Sequence, residues 1–272
     1  MVKTAFKLAY IGTDYYGFQR QPNLPTVEGE LLRAFKMAGI YDDPQSSDYS
    51  IAGRTDRGVH AMGNVVSLNT YKEVSINQIN YYLPPNIQII GMAQVPSGFK
   101  PRYANYRHYK YILGSFPDQE DSMDLDIIQE ASKLMEGVHN FQNFSKRSER
   151  VAERKVYSVE VIKTDENLVF DVIGESFLWN MVRKMVTVLT MIGNNELTLN
   201  ELELLFNPDI PSSITPVPSE GLILMDVVYE GIEFMSDSYA KYNFMKTLKE
   251  EYGHRKTILD VEKEMINVLN GF

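Results

Sequence analysis

The sequence predicts an α+β fold with largely antiparallel sheet. Two observations carry this. Segments that alternate apolar and polar residues are interspersed with apolar stripes of helical period, and the two kinds do not follow the regular strand–helix–strand order of a parallel sheet. Residues 4–12 place Phe6, Leu8 and Tyr10 on one face and read as a strand ending at Gly12. Residues 26–38 set Val27, Leu31, Leu32, Phe35 and Ala38 along one helical face. Residues 49–52 and 64–69 read as strands flanking a turn-rich loop. In 108–113, Tyr109, Tyr111 and Leu113 face away from His108, Lys110 and Ile112. A helix follows over 124–137 with Leu125, Ile128, Ala131, Leu134 and Met135 as its stripe, then strands at 156–163 and 168–174. The most apolar helix spans 177–192, where Phe177, Met181, Met185, Val188 and Leu189 recur at helical spacing. A short helix at 199–206, a Pro-rich loop at 208–218, a strand at 222–229 and a helix over 236–272 complete the chain. In that last helix Ile258, Val261, Met265, Val268 and Leu269 share one side. The acidic stretch 117–126 is the expected seam between two halves, dividing the chain into 1–112, 113–235 and a helical extension 236–272.

The composition is that of a globular protein, with 44% hydrophobic and 23% charged residues. No apolar run approaches the roughly 20 residues of a membrane span, and the N-terminus lacks a signal-peptide pattern. There are no cysteines, which excludes disulfides, thiolate metal sites and thiol nucleophiles and points to the cytoplasm. The four histidines, His60, His108, His139 and His254, are not at metal-ligand spacing, so a metal site is not expected.

The net charge of −9 taken alone argues against a nucleic-acid partner, but it is unevenly distributed. Residues 1–112 carry 12 basic and 8 acidic side chains, whereas residues 192–272 carry 6 and 14. A basic face on an acidic protein is compatible with that pattern.

The most unusual segment is Ala52-Gly53-Arg54-Thr55-Asp56-Arg57-Gly58-Val59-His60-Ala61, set between two strands. Arg54 and Asp56 are close enough in sequence to pair, and such a pair would hold the carboxylate ionised and aimed, as a nucleophile requires. The same composition also fits a polar turn whose aspartate accepts backbone amides.

This segment resembles the signature loop of the TruA family of tRNA pseudouridine synthases, in which the aspartate is essential. Further blocks resemble that family in the same order: residues 10–21 (Tyr-Ile-Gly-Thr-Asp-Tyr-Tyr-Gly-Phe-Gln-Arg-Gln), 82–87, 99–103, 107–111, Phe177-Leu178-Trp179-Asn180-Met181-Val182-Arg183 and Glu220-Gly221-Leu222-Ile223-Leu224. Together they span about residues 6–230, and collinear blocks are far more specific than one motif. The match at 82–87 is loose, and Trp179-Asn180 stand in a variable stretch.

The resemblance implies two related halves whose antiparallel sheets join around a central cleft. It implies isomerisation of uridine to pseudouridine in the anticodon stem-loop of tRNA, with no cofactor and no metal, by a homodimer. Carried over by position, Asp56 drives glycosidic cleavage, attacking either sugar or base. Arg54 pairs with Asp56 and fills the space left by the flipped uridine. Tyr109 stacks on the uracil and helps remove the C5 proton, Arg183 orients the carboxylate, and Leu222 packs on the base. Read without the family, Tyr109 also fits an ordinary strand aromatic, and Arg183 a side chain snorkelling from a helix edge.

For RNA contact, Lys100, Arg102, Arg107, His108 and Lys110 interleave with tyrosines, a composition suited to phosphates and unstacked bases. Arg57 and His60 of the loop join these candidates. Lys146, Arg147, Arg150, Arg154 and Lys155 form a second basic run that equally fits a solvated face. The rival function is a non-catalytic RNA-binding protein or chaperone on the same fold, whose tRNA binding would ignore Asp56. A nucleosidase is a weaker reading, because no second carboxylate is evident beside Asp56.

Overall fold

The computed structural model describes residues 1–71, 74–114, 123–146, 150–164 and 167–270. Its strands are β1 (Val2–Tyr10), β2 (Ser50–Ile51), β3 (His60–Thr70), β4 (Ile87–Gln94), β5 (Tyr106–Gly114), β6 (Gly137–Asn140), β7 (Glu153–Lys163), β8 (Asn167–Gly174), β9 (Leu222–Val228) and β10 (Met235–Ser236). Its helices are α1 (Val27–Met37), α2 (Ile76–Asn80), α3 (Leu125–Leu134), α4 (Met181–Gly193), α5 (Leu199–Leu205) and α6 (Ser238–Asn270). The strands form one sheet in the order β10-β4-β1-β3-β9-β5-β8-β7-β6, with β2 paired to β3 off that line. The fold is therefore α+β, as the sequence pattern predicts.

Among the described residues every strand pair is antiparallel except β3 with β9, which run parallel over only two residue pairs, His60 with Ile223 and Ala61 with Leu224. This short pairing is where the sheet passes from its first half to its second. One hydrophobic cluster gathers Phe6, Leu8, Phe18, Leu31, Phe35 and Leu68 around β1, β3 and α1, and the Phe6 and Phe35 rings lie 5.2 Å apart. The other gathers Ile128, Phe144, Val159, Phe170, Met185 and Leu189 around β7, β8, α3 and α4. Strand β9 serves both, giving Leu224 and Val227 to the first and Leu222 to the second.

Several elements differ from the sequence reading. Strand β4 carries no alternation because it is buried along almost its whole length, so Ile87–Gln94 lacks the period-two pattern of a half-exposed strand. The short α2, β6 and β10 were likewise not expected; pieces of two to five residues are too short to show a period. Helix α4 begins at Met181 rather than 177, because Asn180 adopts a left-handed conformation (φ 67°) that breaks helical continuity. The expected seam at 117–126 lies outside the described residues through residue 122. Only Ala240 and Phe244 of α6 are buried, and its distal turns, from Tyr252 on, are exposed. Among the described residues no helix is long and apolar enough to cross a membrane.

Glycine is required where β1 ends. A Cβ on Gly12 would lie 2.0 Å from the Val59 carbonyl oxygen, a backbone atom that cannot swing aside. Gly12→Ala is expected to destabilise the protein by about 1–3 kcal/mol, since relief demands a backbone shift in the 52–59 loop. The urea-unfolding midpoint measures this, and an unchanged midpoint would show that the loop yields freely.

Candidate active site

The loop between β2 and β3 is fixed at nearly every residue. Ala52 N–H donates to the Val65 carbonyl at 2.8 Å, and Asn64 Nδ2 donates to the Gly53 carbonyl at 3.1 Å. Thr55 is held twice: Phe18 N–H donates to its carbonyl at 2.9 Å, and its hydroxyl meets the buried Tyr10 hydroxyl at 2.8 Å. Gly17, at φ +93°, lets its own turn approach this strand of chain, since a Cβ there would sit 3.0 Å from the Thr55 carbonyl. Arg107 is buried and acts as a clamp, its guanidinium donating to the carbonyls of Ala52 at 3.2 Å, Arg102 at 2.8 Å and Glu175 at 2.7 Å. A buried cation is tolerable here because several carbonyls replace its water.

This framework presents Asp56 to a cleft of about 1280 Å³ that runs between the halves. Each carboxylate oxygen has its own donor from the opposite half. Trp179 Nε1–H donates to Oδ1 at 2.8 Å, and Arg183 Nη1 reaches Oδ2 at 3.4 Å. Arg183 is itself steered by the Val217 carbonyl, which accepts from Nε at 2.7 Å. Across the cleft, Tyr109 sits where the β5–β9 register shifts between His108 and Tyr109, a bulge of the kind that re-aims a side chain. Its ring meets Phe177 edge-on at 5.3 Å. Burial pushes the Tyr109 phenol up to about 12, with Asp56 adding to the rise and Arg107 opposing it. The hydroxyl therefore stays protonated at neutral pH. Leu222, at the start of β9, completes an apolar wall.

The arrangement is a pre-aimed carboxylate facing an aromatic and an aliphatic surface, with cations near the opening. Residues 131–230 match a family model described as tRNA pseudouridine synthase. Over 255 residues the chain is 45% identical to the tRNA pseudouridine synthase A of Methanosphaera stadtmanae, covering 93% of each chain. The chain belongs to the tRNA pseudouridine synthase A family. It is accordingly an isomerase. The family member of Methanothermobacter thermautotrophicus is 47% identical, over 93% of this chain and 90% of that protein. That of Methanobrevibacter smithii is 40% identical over 99% and 98%.

Of the residues singled out by sequence, the cleft gathers Arg54, Asp56, Arg57, Arg102, Arg107, Tyr109, Arg183 and Leu222. Four expectations need correction. Arg54 does not pair with Asp56: the carboxylate turns toward α4, where both oxygens are occupied, and Arg54 is left exposed at the cleft, with no ion pair among the described residues. Lys110 lies off the cleft with His108, both on Asp171, because strand alternation puts them on the face opposite Tyr109. Lys100 is drawn to Asp48 at 2.6 Å, which also pairs with the buried Lys3. His60 is turned behind the sheet: Gly12 N–H donates to its Nδ1 at 3.1 Å, so Nε2 carries the proton and donates to the Glu220 carbonyl at 3.1 Å. Arg57 stacks over Tyr16 with its guanidinium carbon 4.4 Å from the ring centroid, and Arg102 lies over Tyr103 at 4.5 Å. Of the second basic run, Lys146 reaches the cleft, and Arg147 lies outside the described residues.

Two residues were missed. Trp179 reads as one more variable position, yet it is the single tryptophan of the chain and stands four residues before Arg183, on the same approach to α4. Lys184, buried in α4, donates to the carbonyls of Asn143 at 3.2 Å and Ser145 at 2.7 Å and so ties down the turn that carries Lys146. A lysine inside an apolar stripe was the available signal.

Burial holds the His60 imidazole below its ordinary pKa, with the Glu220 carbonyl partly opposing the effect. An unfolded chain then binds the proton more readily than the folded one. Its contribution to stability is complete above the ordinary value of 6.5 and is lost as pH falls below it. Unfolding free energy is expected to decline between about pH 7 and pH 5, and less steeply in His60→Gln. Urea titrations across that range provide the check; equal slopes would contradict a structural, neutral His60.

Proposed function

We propose that the chain isomerises uridine to pseudouridine in the anticodon stem-loop of tRNA, with Asp56 as the attacking carboxylate. The observation that carries this is the carboxylate itself, held at both oxygens by Trp179 and Arg183 and facing Tyr109 and Leu222 across a cleft large enough for a flipped nucleotide. Isomerisation breaks the N1–C1′ bond, turns the base and forms a C5–C1′ bond, with no net redox change. Asp56 drives the cleavage by adding to the sugar or the base. Tyr109 and Leu222 hold the freed uracil between them, which keeps it from escaping to water. Removal of the C5 proton follows. Because the Tyr109 phenol retains its own proton, it serves as a relay, accepting from C5 as it gives up that proton. N1, freed from the sugar, takes up a proton in turn, so that the product carries N1–H in place of C5–H.

Arg54 at the opening is placed to fill the gap left in the RNA stack. Arg57, Arg102 and Lys146 supply the charge for phosphates on an otherwise acidic protein. The tRNA substrate is supported by the three relatives described above, each a tRNA pseudouridine synthase A. A homodimer belongs to the same reading. Its support is the exposed apolar side of α6 at Ile258, Val261, Met265 and Val268, which a second copy would cover.

Asp56→Asn and Asp56→Ala are expected to abolish pseudouridine formation while tRNA affinity stays within a few-fold, because phosphate contacts dominate binding. Appreciable turnover by the Asn variant would remove the nucleophile assignment, and unaltered RNA function in both would favour a non-catalytic binder. For Tyr109, the relay predicts that Tyr109→Phe already slows the chemical step by roughly 10²–10⁴-fold. A purely stacking ring would instead leave Phe near wild type and cost only Leu, by about 1–3 kcal/mol. Single-turnover rates at saturating enzyme separate the two.

A further inference from the structure

The Trp179 ring touches both the carboxylate and the cleft's basic wall. Its Nε1–H donates to Asp56 Oδ1 at 2.8 Å, while Arg183 takes Oδ2. The other side of the contact is Lys146, whose Nζ lies 4.3 Å from the centre of the same ring. Lys146 is bound to this residue a second time, its backbone N–H donating to the Trp179 carbonyl at 2.9 Å. The left-handed Asn180 directs the ring, because it turns the chain between Trp179 and the first residue of α4. Lys146 and Trp179 both line the cleft that holds Asp56.

From this geometry we infer that Trp179 is a positioning residue of the reaction, fixing the Asp56 carboxylate through its indole N–H and seating Lys146 on its face. The inference rests on the reading of Asp56 as the reacting group. A carboxylate held by Arg183 alone would be free to turn about its own bond, presenting either oxygen or neither to the nucleotide. A second donor at the other oxygen removes that freedom, which is the condition for a near-attack geometry. The choice of tryptophan over phenylalanine follows: both offer an aromatic face for a cation, and only the indole brings a donor. Lys146 on the outer face packs the ring against the carboxylate and leaves its own charge in the cleft, where a phosphate of the RNA backbone can meet it.

Trp179→Phe separates the two contacts, since it keeps the face and deletes the donor. With Asp56→Ala measured in parallel, the variant is expected to fold with an unchanged circular-dichroism melt, to bind tRNA within a few-fold of wild type, and to form pseudouridine about 10- to 100-fold more slowly in single turnover. Lys146→Ala is expected to do the reverse, weakening tRNA binding more than the saturated rate. A wild-type rate in Trp179→Phe, with Asp56→Ala inactive, would overturn the inference and leave the reading of Asp56 standing. A variant slowed solely through weaker binding would also overturn it. Turnover by Asp56→Ala would instead defeat that reading, and the inference with it. Fluorescence gives an answer independent of activity, because Trp179 is the only tryptophan in the chain. Its emission in the wild-type protein should shift in Asp56→Ala as the bond to the carboxylate is lost; coincident spectra would show that the indole does not touch Asp56 in solution.

Discussion

The structure depends on a carboxylate whose supports come from the far side of the molecule. Asp56 belongs to a loop of the first half, pinned by Tyr10, Asn64, Phe18 and Arg107. Its donors, Trp179 and Arg183, stand at the start of α4 in the second half. Neither half holds the group by itself. What keeps the two in register is the sheet, and above all the two-residue parallel contact between β3 and β9 at His60 and Ala61. Arg107 reinforces it, since one guanidinium bonds Ala52 before β3 and Glu175 after β8. A small error in that junction would reach the carboxylate undamped, because protein interiors transmit strain rather than absorb it.

The charge of the molecule illustrates why sums mislead. A net charge of −9 coexists with a cleft that collects Arg54, Arg57, Arg102, Arg107, Lys146, Arg183 and Lys184. Two of these, Arg107 and Lys184, are buried on backbone carbonyls and act as internal struts. The exposed ones carry the field that an RNA would meet. Much of the acid lies elsewhere, in the C-terminal third that includes α6.

How much could be read beforehand followed from local physics. The amphipathic elements α1, α3, β5, β7 and β8 were legible, because each buries one face and repeats at its own period. Strand β1, though buried on both faces, was legible because Lys3 and Lys7 interrupt its apolar residues. Strand β4 was not, since burial on both faces erases the alternation. At the site, Asp56, Arg183 and Leu222 were named through their motifs, and the structure brings all three to one cleft. The partner of Asp56 was misjudged because nearness in sequence favoured Arg54, while the bond that forms spans 127 positions. Lys110 and Lys100 were misjudged because composition shows that cations are present and says nothing about which face they occupy. His60 sits at the point where the chain enters β3, so a single residue's alternation decides between the cleft and the reverse of the sheet.

The place of β9 has a consequence for how the molecule comes into being. This strand is made late, after residue 221, and it lies between β3 and β5, joined to both. Until it emerges from the ribosome, β5 and the part of β3 not covered by β2 each present an unpaired edge, the kind of surface that recruits other chains. The nascent protein therefore spends the interval from residue 114 to residue 222 with its sheet open in the middle, and its last long strand acts as a keystone. A chain broken off before that point would keep most of its buried residues and still be the most adhesive form of the protein.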